Sequence, residues 1–90
     1  MAKFIRIFRN TAPREEIEKH LPGHCEYLRR LRDAGILKAA GPFADKSGGI
    51  ELLEADDFET LKRRVEQDPF IIHRLGEWEL KPWEDILPRI

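Results

Sequence analysis

The chain has 90 residues, 41% hydrophobic and 37% charged, and its 16 basic and 17 acidic residues give a net charge of -1. With a sequence pI near 6.3, it lacks the net basic surface that nucleic acid or an anionic membrane would need. No apolar run is long enough to span a bilayer. This length makes one domain, residues 1–90, which buries only about 60–65% of its unfolded surface and gains from oligomerisation. A single cysteine rules out an internal disulfide and fits a reducing, cytoplasmic setting. The N-terminus leads into a strand with no signal-peptide hydrophobic region.

Lys3 to Arg9 alternates as a strand, with Phe4, Arg6 and Phe8 on one face and Ile5 and Ile7 on the other. Asn10-Thr11-Ala12-Pro13 is a turn that leads into a helix. Arg14 to His20 is helix-prone, and Ile17 and Leu21 can face inward. Pro22-Gly23 then predicts a kink or short break. From His24 to Ala34 the helix is clear, with Cys25, Leu28, Leu31 and Ala34 as its core stripe, and Gly35 stops it.

Ile36 to Gly41 reads as a weaker strand, Gly41 to Gly49 as a long loop, and Gly49 to Ala55 as a third strand. Asp56 or Asp57 caps a second helix with the stripe Phe58, Leu61 and Val65, which Gln67-Asp68-Pro69-Phe70 ends. A helical turn over Ile71–Leu75 and a strand over Glu77–Lys81, stopped by Pro82, complete the order βαββαβ. That order predicts an α+β, ferredoxin-like fold: a four-stranded antiparallel sheet with both helices on one face and strand three between strands one and two.

In this topology the start of the first helix, the end of strand two and the end of the second helix meet at one edge. Those places carry His24, Gly41-Pro42-Phe43 and Asp68. The uncovered sheet face is expected to present Phe4, Arg6 and Phe8 with Glu51 or Glu79 from neighbouring strands, and Arg6 opposite Glu51 would form a cross-strand pair. A face mixing aromatics and charges suits a homodimer that associates through the sheet, or a pocket.

His24 with Asp68 offers acid–base chemistry, since a carboxylate on one imidazole nitrogen fixes the tautomer and stabilises the imidazolium. The competing readings are structural: Asp68 before Pro69 is a helix N-cap, and His24 is a core-edge histidine bonded to backbone. Cys25 is better explained as packing than as a nucleophile, because adjacent helical residues do not face each other. His20 and His24 have metal-ligand spacing, but Pro22-Gly23 separates them and no further ligands complete a set, so no metal or cofactor is expected. His73 reads as a surface residue. Arg29, Arg30, Arg32 and Lys62-Arg63-Arg64 lie among acidic residues and read as solvated faces. Trp78 and Trp83 read as core or interface anchors.

Taken together, His24-Cys25-Glu26-Tyr27-Leu28-Arg29, Gly35-Ile36-Leu37, Gly41-Pro42-Phe43, Gly48-Gly49, Asp68-Pro69-Phe70 and Lys81-Pro82-Trp83 resemble the YCII-related (YciI-like) domain family. The resemblance spans essentially the whole chain. It implies a fold of the dimeric α/β-barrel superfamily and a site built on the residues that His24 and Asp68 match. It also implies cofactor-free acid–base chemistry on small, often cyclic molecules. The chain departs from the family at Leu21, where members often carry an arginine; if that arginine binds anions, this chain does so through another residue such as Arg6, or not at all.

The reading is a cofactor-independent lyase, isomerase or dehalogenase-like enzyme acting on a small, cyclic or anionic molecule. His24 would be the base or acid, Asp68 its orienting partner, and Arg6, Gly41, Pro42 and Phe43 the substrate contacts. The alternatives are a non-catalytic small-molecule-binding protein of the same fold and a purely structural interaction module. Expected partners are a small molecule and a second copy of the chain, with no nucleic acid and no membrane.

Overall fold

A computed structural model describes residues 1–90. Strand β1 (Ala2–Asn10) leads to helix α1 (Arg14–Asp33), strands β2 (Leu37–Pro42) and β3 (Gly48–Ala55), helices α2 (Phe58–Val65) and α3 (Pro69–Ile72), and strand β4 (Gly76–Trp83). A short 3-10 turn, Leu87–Arg89, follows. The strands form one sheet in the order β2-β3-β1-β4, and every pairing is antiparallel. This is the ferredoxin-like arrangement expected from the element order, with β3 between β1 and β2.

Alternation along β1 sends Phe4, Arg6 and Phe8 to one face, where all three are buried. Phe4 packs with Tyr27 and Leu31 of α1, Leu53 of β3, and Leu61 and Val65 of α2. Phe8 packs with Phe70 and Leu75. The Phe4-Arg6-Phe8 face is therefore the helix-covered one, contrary to the sequence expectation. The uncovered face carries Ile5 opposite Leu52 and Ile7 opposite Ile50, with Lys81 and Glu79 on the β4 side. The strand pattern alone left this choice open because both faces of β1 are largely apolar. The helices covered the face with the larger aromatic side chains.

Helix α1 runs unbroken from Arg14 to Asp33 with Pro22 inside it, rather than breaking at Pro22-Gly23. Gly23 lies against α3: a Cβ there would stand 3.1 Å from Pro69 Cγ. The missing side chain lets the two helices approach closely, and that packing offsets the backbone hydrogen bond that Pro22 removes. The buried residues of α1 are Tyr27 and Leu31; Cys25 and Leu28 are only half-buried and Ala34 is exposed. The core stripe keeps Leu31, with Leu28 packed against it, but Tyr27 rather than Cys25 anchors it. Gly35, at φ 77°, turns the chain out of the helix.

Three boundaries also differ. The β2–β3 connection shortens to Phe43–Ser47 because Gly41 and Pro42 pair with Ile50 and Gly49. Helix α3 starts at Pro69 instead of Ile71, with Asp68 as its cap. Strand β4 continues through Pro82, opposite Phe4. A proline is tolerated there because β4 is an edge strand, where a missing N–H can face solvent.

Candidate active site

Asp68 sits between α2 and α3 with its side chain fully buried. As the N-cap of α3 it accepts from the Phe70 backbone N–H through Oδ1, at 3.0 Å. The same oxygen lies 2.8 Å from His24 Nδ1. Oδ2 accepts from Arg6 Nη2 at 2.8 Å. Both carboxylate oxygens are thus acceptors, so His24 Nδ1 is the donor and the neutral ring carries its free lone pair on Nε2. The histidine side chain is 14% exposed. Its ring stacks on Phe70 with centroids 4.1 Å apart and planes 4° from parallel, which holds the imidazole against rotation.

Arg6 joins this pair to a second one. Its Nη2 also binds Glu51 Oε2, the cross-strand neighbour on β3, and Glu51 Oε1 accepts from the Tyr27 hydroxyl at 2.9 Å. Arg6 and Glu51 side chains are 3% and 4% exposed. The Arg6 guanidinium carbon lies 5.4 Å from the Phe8 ring centroid and 5.9 Å from that of Tyr27. Burial works to lower the Arg6 pKa, but Glu51, by charge and by hydrogen bond, and then Tyr27 and Asp68, outweigh it and leave it raised. Burial and then the Glu51 charge push the Tyr27 phenol far above its ordinary range. Tyr27 therefore stays protonated and acts as a donor, not a base.

His24, Glu51 and Asp68 place ligand-type atoms within 4.8 Å of one another, a spacing that could hold a divalent cation. The protein supplies its own cation instead, because Arg6 Nη2 binds both carboxylates. His20 does not join the set; it stacks on His73 at 4.0 Å.

A cleft of about 630 Å³ opens beside this network, within the roughly 300–1,000 Å³ typical of small-molecule sites. Arg6, His24 and Glu51 reach its wall, with Phe8, Ile17, Leu21, Leu28 and Phe70 as the apolar lining. Gly41 and Pro42 line it as well. Phe43 does not: it closes the hairpin by donating from its backbone N–H to Gly48 at 2.8 Å, because β2 pairs one residue further than expected. Sequence reasoning missed Phe70 and Tyr27 as site residues. The signal available for each was helical spacing, Phe70 after the Asp68-Pro69 cap and Tyr27 one turn on from His24.

The chain is thus a ferredoxin-like α+β domain with a histidine–carboxylate contact on the wall of a cleft. The model of the YCII-related domain matches residues 3–84, and the chain belongs to that family. YjpA, an uncharacterized protein of Bacillus subtilis (strain 168), is 36% identical over 67 residues, 74% of this chain and 79% of YjpA. Among solved structures, the 5-chloro-2-hydroxyhydroquinone dehydrochlorinase TftG of Burkholderia phenoliruptrix AC1100, in complex with 2,5-dihydroxybenzoquinone, superposes with a TM-score of 0.72 at 22% identity. It covers 90% of this chain and 93% of its own. An antibiotic biosynthesis monooxygenase reaches 0.61 at 17% identity, covering 94% and 98%. These two likenesses establish the ferredoxin-like α+β fold.

Proposed function

We propose that this protein is a cofactor-independent acid–base catalyst of lyase, isomerase or dehalogenase type, acting on a small molecule held in the cleft. The observation that carries the reading is the 2.8 Å contact from His24 Nδ1 to Asp68 Oδ1, with the imidazole on the cleft wall. His24 Nε2 takes a proton from a bound molecule, and Asp68 stabilises the imidazolium that forms. The same nitrogen then returns the proton elsewhere or releases it as a leaving group departs. A positioned acid–base group of this kind supplies roughly 10²–10⁴-fold in rate. Arg6 anchors Asp68, Phe70 fixes the ring plane, and Gly41 and Pro42 shape the far wall. The similarity to a dehydrochlorinase of a chlorinated hydroxyhydroquinone supports a cyclic substrate.

The uncovered sheet face, with Ile5, Ile7, Ile50 and Leu52 at its centre, supports a homodimer joined through the sheet. No helix is long and apolar enough to cross a membrane, and the lone cysteine is compatible with the cytoplasm. The N-cap geometry of Asp68 also favours a second reading, in which Asp68 is purely structural and the protein binds its ligand without turning it over.

The test is the NMR titration of the His24 imidazole in the wild type and in Asp68→Asn, alongside halide release from chlorinated hydroquinones. The proposal expects a changed titration and a loss of about 10²–10⁴-fold in rate for His24→Ala. An unchanged titration overturns it, and a ligand whose affinity and fate both survive His24→Ala establishes the binding protein.

A further inference from the structure

The buried contacts around Arg6 allow the charges to be counted. Asp68 accepts on both oxygens, from His24, the Phe70 backbone N–H and Arg6. Glu51 also accepts on both, from Arg6 and from the Tyr27 hydroxyl. With a donor on every oxygen, neither carboxyl has an acceptor for a proton of its own, so both are ionised. Arg6 is the one cation paired with them besides His24. Its Nε and Nη1 are buried and meet no acceptor, so no third anion draws on it. Two carboxylates and one guanidinium, all buried, leave one negative charge unbalanced.

Such a charge is costly away from water, and an imidazolium at His24 balances it. The other groups near His24 do not. Tyr27, with its ring 5.8 Å from the imidazole, is protonated and neutral, and Cys25 points elsewhere on α1. His20 stacks on His73 and faces Glu16. At the cleft rim Arg14 pairs with Glu18, and Lys46 is exposed to solvent. Asp68 alone would not favour the imidazolium, because Arg6 beside it would cancel its charge. We infer that Glu51 is a positioning residue for the base: by occupying Arg6, it leaves Asp68 a charge that the His24 imidazolium can use. Polar atoms of Glu51, Asp68 and His24 lie within 4.8 Å of one another, a range over which one charge changes proton affinity about tenfold or more. This deepens the acid–base reading of His24 and rests on it. When Nε2 takes a proton from a bound molecule the cluster becomes neutral, so the anion formed on that molecule faces no net negative charge behind the base.

The experiment follows the histidines by NMR titration of ¹⁵N-labelled wild type, Glu51→Gln, Asp68→Asn and Glu54→Gln. Glutamine keeps the shape of Glu51 and still accepts from Arg6, but carries no charge. In Glu51→Gln, His24 is expected to hold its proton about tenfold more weakly, read as a midpoint moved to lower pH. Asp68→Asn should move it in the same direction. Glu54 lies on the same strand but pairs with Lys3, so Glu54→Gln controls for net charge and should leave His24 unmoved. His20 and His73 should not follow Glu51→Gln. A His24 midpoint unmoved or raised in Glu51→Gln, or an equal shift in Glu54→Gln, overturns the inference. If Glu51→Gln does not fold, the wild type decides: the Glu51 side-chain carboxyl ¹³C signal must inflect at the His24 midpoint, and a signal flat through it overturns the inference. A response to Asp68→Asn alone leaves the His24–Asp68 base and removes Glu51 from it. A response to neither variant, or to Glu51→Gln alone, removes both.

Discussion

Arg6, Glu51, Tyr27, Asp68 and His24 form a chain of contacts in which each buried polar group depends on the next. Removing one charge from such a chain costs more than the contact itself, because its partners stay buried and unpaired. Arg6→Met is therefore expected to destabilise the fold by about 3–5 kcal/mol in urea unfolding. Adding Glu51→Leu to it should recover part of that loss, since one stranded carboxylate is gone. Tyr27 gives a pH test. Its folded pKa is raised, so its contribution is complete below the unfolded phenol value near 10 and is lost as pH rises above it. The chain has a single tyrosine, so phenolate absorbance near 295 nm has one source. That absorbance should appear together with loss of circular dichroism, and a phenolate signal from the intact fold would contradict the burial argument.

At the scale of elements, the seam between α1 and α3 sets the site. Gly23 allows the approach, His24 follows it on α1, and Asp68 caps α3. Gly23→Val adds two methyl groups where even a Cβ is tight, and should destabilise by about 1–3 kcal/mol. The same change should also weaken the dependence of the His24 titration on Asp68. Helix α2 depends on its own cap: Asp57 accepts from Thr60 N at 2.9 Å and Thr60 Oγ1 at 2.6 Å. Hydrogen bonds from the Thr60 side chain and then its backbone lower the Asp57 pKa. The cap is therefore complete above the unfolded carboxyl value near 4 and is lost as pH falls through the lower folded value. Asp57→Ala should lower the melting temperature at pH 7, and the gap to wild type should narrow in acid.

At the scale of the molecule, the helices cover one face of the sheet and leave Ile5, Ile7, Ile50 and Leu52 on the other. Ile7 is 37% exposed, and charges frame the patch at Lys3, Glu54, Glu79 and Lys81. An apolar centre with a polar rim is the composition of an interface between copies. Ile7→Glu with Leu52→Glu should weaken self-association by roughly a hundredfold or more, as loss of a central anchor does. Sedimentation velocity measures it: a wild type that sediments as a monomer would remove the proposed dimer.

The element order, the sheet order and the Asp68-Pro69 cap were legible in the sequence because they follow from local chemistry: alternation, helical spacing, turn residues and the topological rules for βαβ units. The cross-strand partnership of Arg6 with Glu51 was legible as well, since antiparallel neighbours follow from strand order. Only the tertiary structure decided which face of β1 the helices cover, because Phe4, Arg6 and Phe8 and the alternate pair Ile5 and Ile7 are both apolar enough to be buried. It also decided that Pro22 stays inside a continuous helix, because the packing of Gly23 on Pro69 overrides the local breaking tendency. The most consequential decision was the sharing of one guanidinium nitrogen by two carboxylates. Charge count in the sequence shows a balanced surface, whereas the fold buries one cation between two anions.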